Sequence, residues 1–129
     1  MVTHHIERAS GDHAEILARM VAALLLELSG SAWRGGITDL LPMAKQRLAD
    51  RFGLFAFVAL GPDDDAVGVI AVSTGGAIYA ACVVGTIQEL YVAPAWRSAG
   101  VGRELLERVV ELGGRSGWNR IEVEPWERT

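Results

Sequence analysis

The stretch QELYVAPAWRSAGVGREL, residues 88–105, runs a short apolar strand into a proline, then a glycine-bearing bend, then the opening of an amphipathic helix. Gly100 and Gly102 stand where the chain leaves the strand and enters the helix. Backbone N–H groups unobstructed by side chains can there face a ligand at the helix's positive end, an arrangement that suits an anion. Arg97, and Arg103 one turn into the helix, would add charge-assisted hydrogen bonds to phosphate oxygens.

The flanking elements follow from periodicity. Val101, Leu105, Val109 and Leu112 recur at helical spacing, with Leu106 and Val110 widening the apolar face, and Gly113 and Gly114 end the pattern. WNRIEVE, 118–124, alternates as a strand whose Asn119, Ile121, Val123 face is apolar. GTIQELYVAP, 85–94, is the strand before the helix, ended by Pro94. A strand, helix and strand in this order form a right-handed crossover between parallel neighbours.

Upstream, LFAFVAL (54–60) and AVGVIAV (66–72) flank the turn formers GPDDD and read as an antiparallel hairpin, followed by the apolar AIYAACVV (77–84). Asp12 and Glu15 resemble a capping box opening a helix of about five turns, with Ile16, Leu17, Met20, Val21, Leu24, Leu25 and Leu28 at helical spacing before Gly30. A second helix takes Thr38 as N-cap, carries Leu41, Ala44 and Leu48 on one side and stops near Gly53; Pro42 demands that it start late. VTHHIER, 2–8, is a short first strand. The predicted fold is α/β, a mixed sheet covered by helices.

Composition narrows the function. The 129 residues, half apolar and 22% charged, suit a single domain spanning 1–129. The net charge is −4, and eleven arginines and Lys45 are scattered, which argues against nucleic acid as a partner. Cys82, the single cysteine, cannot form an internal disulfide and its AACVVG setting has no metal-ligand spacing, so no metal is expected and a reducing cytoplasm fits. The N-terminus lacks an apolar signal core and MVAALLL (20–26) is too short to cross a bilayer, so the expectation is a soluble protein with no membrane partner. Asp63, Asp64 and Asp65 are solvated turn formers, and His4, His5 and His13 have no metal or triad partners nearby in sequence.

Two common phosphate loops fail on the letters. A Walker loop needs Lys followed by Ser or Thr, and Lys45 lies far upstream; a dinucleotide fingerprint wants glycine where Leu105 stands. The spacing left, Arg97-x-x-Gly100-x-Gly102 after ELYVAP, resembles the coenzyme A pyrophosphate motif of the GCN5-related N-acetyltransferase (GNAT) superfamily. The element order agrees with that family's layout to about residue 124, and LYVAPAWRSAGVGRELL is the specific part.

The resemblance implies transfer of an acetyl group from acetyl-CoA, as cosubstrate, to a primary amine that is small or peptidic. It implies that the ELYV strand splays from IEVE and that the pantetheine arm lies in the opening, hydrogen-bonded to the backbone of Leu90, Tyr91 and Val92. The N–H groups of Ser98, Ala99, Gly100, Val101, Gly102 and Arg103 would surround the pyrophosphate. An alkylammonium, with pKa about 10.4, must lose a proton before attacking the thioester, and Glu89 is the candidate base, directly or through water. The oxyanion wants a fixed donor, for which the Val92 N–H is a candidate. Trp33 and Arg34, in the SGSAWRGG loop, lie where the family often builds its acceptor pocket.

Members of the family usually continue with another helix, which commonly supplies a proton-donating tyrosine, and two further strands. Here EPWERT closes the sequence, with Pro125 and Trp126 resembling the entrance to that helix. The fold expected is therefore GNAT-like but shortened. The alternative to a transferase is a noncatalytic acyl-CoA-binding or assembly subunit that retains the cofactor cleft. An uncovered WNRIEVE edge predicts a homodimer through or near that strand.

Overall fold

A computed structural model of the chain describes residues 4–30, 35–49, 54–76 and 82–124. The elements follow the order β1 (His5–Arg8), α1 (Ala14–Ser29), α2 (Ile37–Ala49), β2 (Leu54–Leu60), β3 (Ala66–Gly75), β4 (Val84–Val92), α3 (Val101–Ser116) and β5 (Arg120–Val123). Strands lie in the sheet in chain order, with β1 to β4 antiparallel and β5 parallel to β4. The mixed sheet and the single β4–α3–β5 crossover are those expected from the sequence. AIYAACVV falls largely outside the described residues, as do Pro125 and Trp126.

Strand alternation sorts the core into two layers. Phe57, Ile70, Val72 and Ile87 face α3, where they meet Val101, Leu105, Val109 and Leu112. Val58, Leu60 and Val69 face the opposite way onto Leu17 and Ala18 of α1 and Ala44 of α2. Each such aliphatic side chain stabilises the fold by about 1.5–3 kcal/mol through loss of apolar surface from water. The central strands are therefore apolar on both faces.

Several boundaries differ from those expected. Helix α1 is entered from Ser10, not Asp12: the Ser10 N–H donates to His13 Nδ1 at 3.0 Å, and a single 3₁₀ turn, Gly11–His13, leads into Ala14. Helix α2 begins earlier than Thr38, with the Gly36 N–H donating to Asp39 Oδ2 at 2.7 Å, and it holds Pro42 inside its second turn. Helix α3 runs through Gly113 and Gly114 to Ser116, with Gly117 as its C-cap. His4 has a partner far along the chain, its Nε2 lying 2.6 Å from Glu104 Oε2 of α3.

Trp118 explains the passage through Gly113. A Cβ on Gly85 of β4 would lie 2.5 Å from the indole, and one on Gly113 would lie 2.8 Å from it. Both positions must be glycine for the ring to sit between strand and helix. The indole also meets Phe55, with ring centroids 5.7 Å apart. This plug sets the distance between α3 and the start of β4, and so holds the β4–β5 junction.

Candidate active site

Pairing between β4 and β5 is brief. It runs from Val84 opposite Arg120 to Ile87 opposite Val123, closed by the Glu124 N–H on the Ile87 carbonyl at 2.8 Å. Beyond it, residues 88–92 of β4 have no strand beside them on that side among the described residues. The chain thus forms a notch at the C-terminal end of its two parallel strands, the place where open α/β sheets accept ligands.

The backbone of the notch has a definite polarity. The Ala93 N–H bonds to the Val67 carbonyl of β3 at 2.8 Å, and the Tyr91 carbonyl also faces β3, 3.2 Å from where a Gly68 Cβ would be. Alternation then directs the N–H and C=O of Leu90 and Val92 into the opening. The Val92 carbonyl accepts from Arg97 Nε at 2.9 Å. Of the three residues expected to contact pantetheine, Leu90 and Val92 present their backbone to the notch, while Tyr91 is tied to β3.

At the mouth of the notch the chain turns through Pro94–Trp96 and residues 97–100 into α3. Gly100 is the N-cap at φ +82°, a left-handed conformation that glycine takes without strain. The first α-helical bond runs from the Glu104 N–H to the Gly100 carbonyl at 3.1 Å, so the N–H groups of Val101, Gly102 and Arg103 have no acceptor within the helix. Ser98, Ala99 and Gly100 are exposed, and Arg103 extends into solvent, paired with Glu107 at 3.1 Å. A Cβ on Gly102 would meet only Val92 Cγ2, at 3.5 Å.

Arg97 has an intramolecular carboxylate partner. Its two terminal nitrogens reach the two oxygens of Glu27 in α1 at 2.7 and 2.5 Å, a bidentate pair, and its guanidinium lies 5.5 Å from the Tyr91 ring centroid. Hydrogen bonding to Arg97 holds the Glu27 carboxyl below the usual carboxylate range. The pair lies at the surface and links α1 to the glycine turn before α3.

Glu89 lies on the other side of β4. A register shift leaves Gln88 without a partner, with Ala71 opposite Glu89 and Val72 opposite Ile87. This bulge brings Gln88 and Glu89 together into a cavity of about 400 Å³ under α1 and α2. Leu17, Ala18 and Val21 form one wall, Leu40, Met43, Ala44 and Arg47 another, and Leu54 and Ala71 the floor. Burial pushes the Glu89 carboxyl above its ordinary range; Arg47 works against that shift and Glu124 adds to it. A carboxyl so placed binds a proton readily and can accept one from a bound amine.

The sequence reading missed Gln88, Arg47 and Glu27. Arg47 had a signal, since Leu40, Met43, Ala44 and Arg47 share a helical stripe; the bulge that turns Gln88 inward had none. Trp33 and Arg34 lie outside the described residues. Among the described residues no group of three or more His, Cys, Asp or Glu side chains is placed to hold a metal, and no helix is long and apolar enough to cross a membrane.

The acetyltransferase (GNAT) domain model matches residues 53–128, which include the β4 notch, the glycine turn and α3. The chain belongs to the GNAT family. GNAT members use acetyl-CoA, and the chain is an acyl-CoA-dependent N-acyltransferase by that membership. No curated protein matches it.

Solved structures agree in fold. A possible acetyltransferase from Clostridium difficile 630 superimposes with a TM-score of 0.82 at 17% identity, over 98% of this chain and 82% of that one. The ribosomal-protein-alanine N-acetyltransferase of Brucella melitensis biovar Abortus 2308 gives 0.75 at 18%, over 95% and 80%. An aminoglycoside N-acetyltransferase in complex with CoA gives 0.77 at 19%, over 98% and 79%. At these identities the GNAT likeness concerns the fold.

Proposed function

We propose that the chain, as one domain, moves an acetyl group from acetyl-CoA to a primary amine. The observation that carries this is the position of Glu89: a half-buried carboxyl in a cavity on one side of β4, beside a notch into which Leu90 turns its N–H and C=O and Val92 its N–H. Pantetheine would pair with those groups as an added strand. The pyrophosphate would accept from the N–H groups of Ser98 and residues 100–103, the Ala99 N–H being bonded to the Trp96 carbonyl at 3.2 Å, and Arg97 would exchange Glu27 for phosphate oxygen.

Glu89 then takes the ammonium proton, directly or through a water, and the free amine attacks the thioester carbon. The Val92 N–H, directed into the notch, is the donor assigned to the oxyanion. Collapse of the intermediate expels the thiolate, whose thiol pKa of about 8.5 makes a dedicated acid unnecessary, and the proton still on the attacking nitrogen passes to that thiolate directly or through water, leaving neutral amide and free CoA. Trp33 and Arg34 remain candidates for the rim of the acceptor site. A cytoplasmic location and a homodimer complete the proposal; the free Cys82 accords with a reducing compartment.

The test is calorimetric titration of acetyl-CoA into wild type and Gly102→Asp. The substitution meets only Val92 Cγ2 and adds an acid to the first turn of α3, which favours the helix and repels a phosphate. Binding weakened by at least about tenfold with a melting temperature no lower than that of wild type is the expected result. Wild-type protein that binds no acetyl-CoA would overturn the proposal. Binding without acetylation of any amine would favour the noncatalytic acyl-CoA-binding subunit instead.

A further inference from the structure

The His4 side chain, only 10% exposed, takes no part in the chemistry proposed for Glu89. It directly precedes β1, which pairs with β2. Its ring meets the Trp96 indole edge-on, with centroids 6.0 Å apart and planes at 84°, and its Nε2 lies 2.6 Å from Glu104 Oε2. A carboxylate only accepts, so Nε2 carries the proton and donates it to this bond. Trp96 and Glu104 flank residues 97–103, the segment whose N–H groups the transferase reading, on which this inference rests, gives to the pyrophosphate.

That segment holds itself loosely. The Arg97 N–H reaches the Pro94 carbonyl at 3.4 Å and the Ala99 N–H reaches the Trp96 carbonyl at 3.2 Å, both longer than the usual separation. Ser98, Ala99 and Gly100 are exposed, and glycine at φ +82° has more backbone freedom to lose than any other residue. The flanks are firmer. The Trp96 N–H donates to the Ala93 carbonyl at 2.8 Å and its ring packs on the core, while the Glu104 N–H donates to the Gly100 carbonyl at 3.1 Å. One side chain touching both flanks fixes their separation, and with it the path of the turn between them. Histidine suits the task because it offers a flat ring to the indole and an N–H beyond it; phenylalanine has only the first and glutamine only the second. Glu107, Arg108 and Glu111 border His4 in a surface cavity of about 440 Å³, yet the bond goes to Glu104, the acid of α3 nearest the turn.

We propose that His4 is a positioning residue for the cosubstrate: it braces Trp96 and Glu104 and so holds the turn between them in the form that receives the pyrophosphate. The turn is then ordered before the ligand arrives, and its ordering does not detract from binding.

The experiment titrates acetyl-CoA and S-acetylpantetheine, which has no pyrophosphate, into wild type, His4→Phe, Glu104→Gln and Glu104→Leu, following the amide resonances of Val92 and Gly102. His4→Phe should weaken acetyl-CoA binding by at least about tenfold and S-acetylpantetheine binding by no more than about twofold. The Glu104 side chain is 51% exposed, so its variants keep the fold even where His4→Phe does not. They are equally uncharged, and only glutamine still accepts from Nε2. Glu104→Gln should therefore bind acetyl-CoA several-fold more tightly than Glu104→Leu, a comparison that decides the matter where S-acetylpantetheine binds too weakly to follow. Equal affinities of these two variants would overturn the inference, as would equal loss of both probes in His4→Phe. Either result leaves the transferase reading standing, since wild type still binds acetyl-CoA. A wild type that binds neither probe would sink that reading and the inference with it.

Discussion

Glu89 meets two opposed demands. As the proposed base it must be ionised at working pH, yet burial favours its neutral form and raises its pKa in the folded chain. The unfolded chain has an ordinary glutamate, near 4.3, so the folded state holds this proton more tightly. Between the unfolded and folded values stability therefore falls as pH rises, and above that window the carboxylate is a standing cost. Glu89→Gln should melt at a higher temperature than wild type at pH 7.5, with the difference shrinking as the pH is lowered to 4. The same variant should lose about 10²–10⁴ in kcat/KM and the acid limb of its pH profile. Wild-type turnover in the variant would remove Glu89 from the chemistry. Arg97 makes a second residue-scale test, since in the proposed complex phosphate competes with Glu27 for its guanidinium. Glu27→Gln should bind CoA several-fold more tightly by calorimetry, and weaker binding would mean that Glu27 orients Arg97 instead of withholding it.

Helix α3 contains adjacent glycines with opposite roles. Alanine at a helical position is worth about 1 kcal/mol over glycine. At Gly114 a Cβ meets nothing within 4 Å, so Gly114→Ala should raise stability by about 0.5–1 kcal/mol in urea denaturation. At Gly113 the Cβ would meet the Trp118 indole at 2.8 Å, and overpacking of about 1–3 kcal/mol outweighs the propensity gain. A stabilised Gly113→Ala would show that the indole moves aside at little cost. The two residues look alike as letters, which is why periodicity alone ends α3 too early: a glycine kept for close packing and a glycine that caps a helix leave the same mark. Local signals were enough for the glycine turn that opens α3, because Arg97, Gly100 and Gly102 lie within a few residues of one another. They were enough for the β4–α3–β5 crossover as well. The cavity beneath α1 and α2 was less accessible, since it needs the Gln88 bulge, fixed by pairing with β3, and side chains brought from α1 and α2 by tertiary packing. Pleat alternation put Glu89 and Tyr91 on one face, but only the helices covering that face make it a cavity.

The largest scale concerns what borders β5. Leu106 and Val110 occupy the same stripe of α3 as Gly113, which packs on Trp118 and Ile121, so their exposed side chains continue the β5 edge of the molecule. Val123 is 70% exposed and Val110 53%. Among the described residues no strand pairs with β5 on its outer side. An open strand edge next to an apolar stripe favours association, and a second copy supplies a matching surface through a two-fold axis. The β1 edge offers a poorer surface, since His5, Glu7 and Arg8 on that strand are exposed polar or charged residues. Sedimentation equilibrium is expected to give the mass of a dimer for wild type, and Val110→Lys combined with Val123→Lys should give the monomer. Both positions are exposed, so the doubly substituted chain should keep its fold. A wild type that stays monomeric across the concentration range would rule out the dimer. A doubly substituted chain that dimerises as well as wild type would place the interface elsewhere.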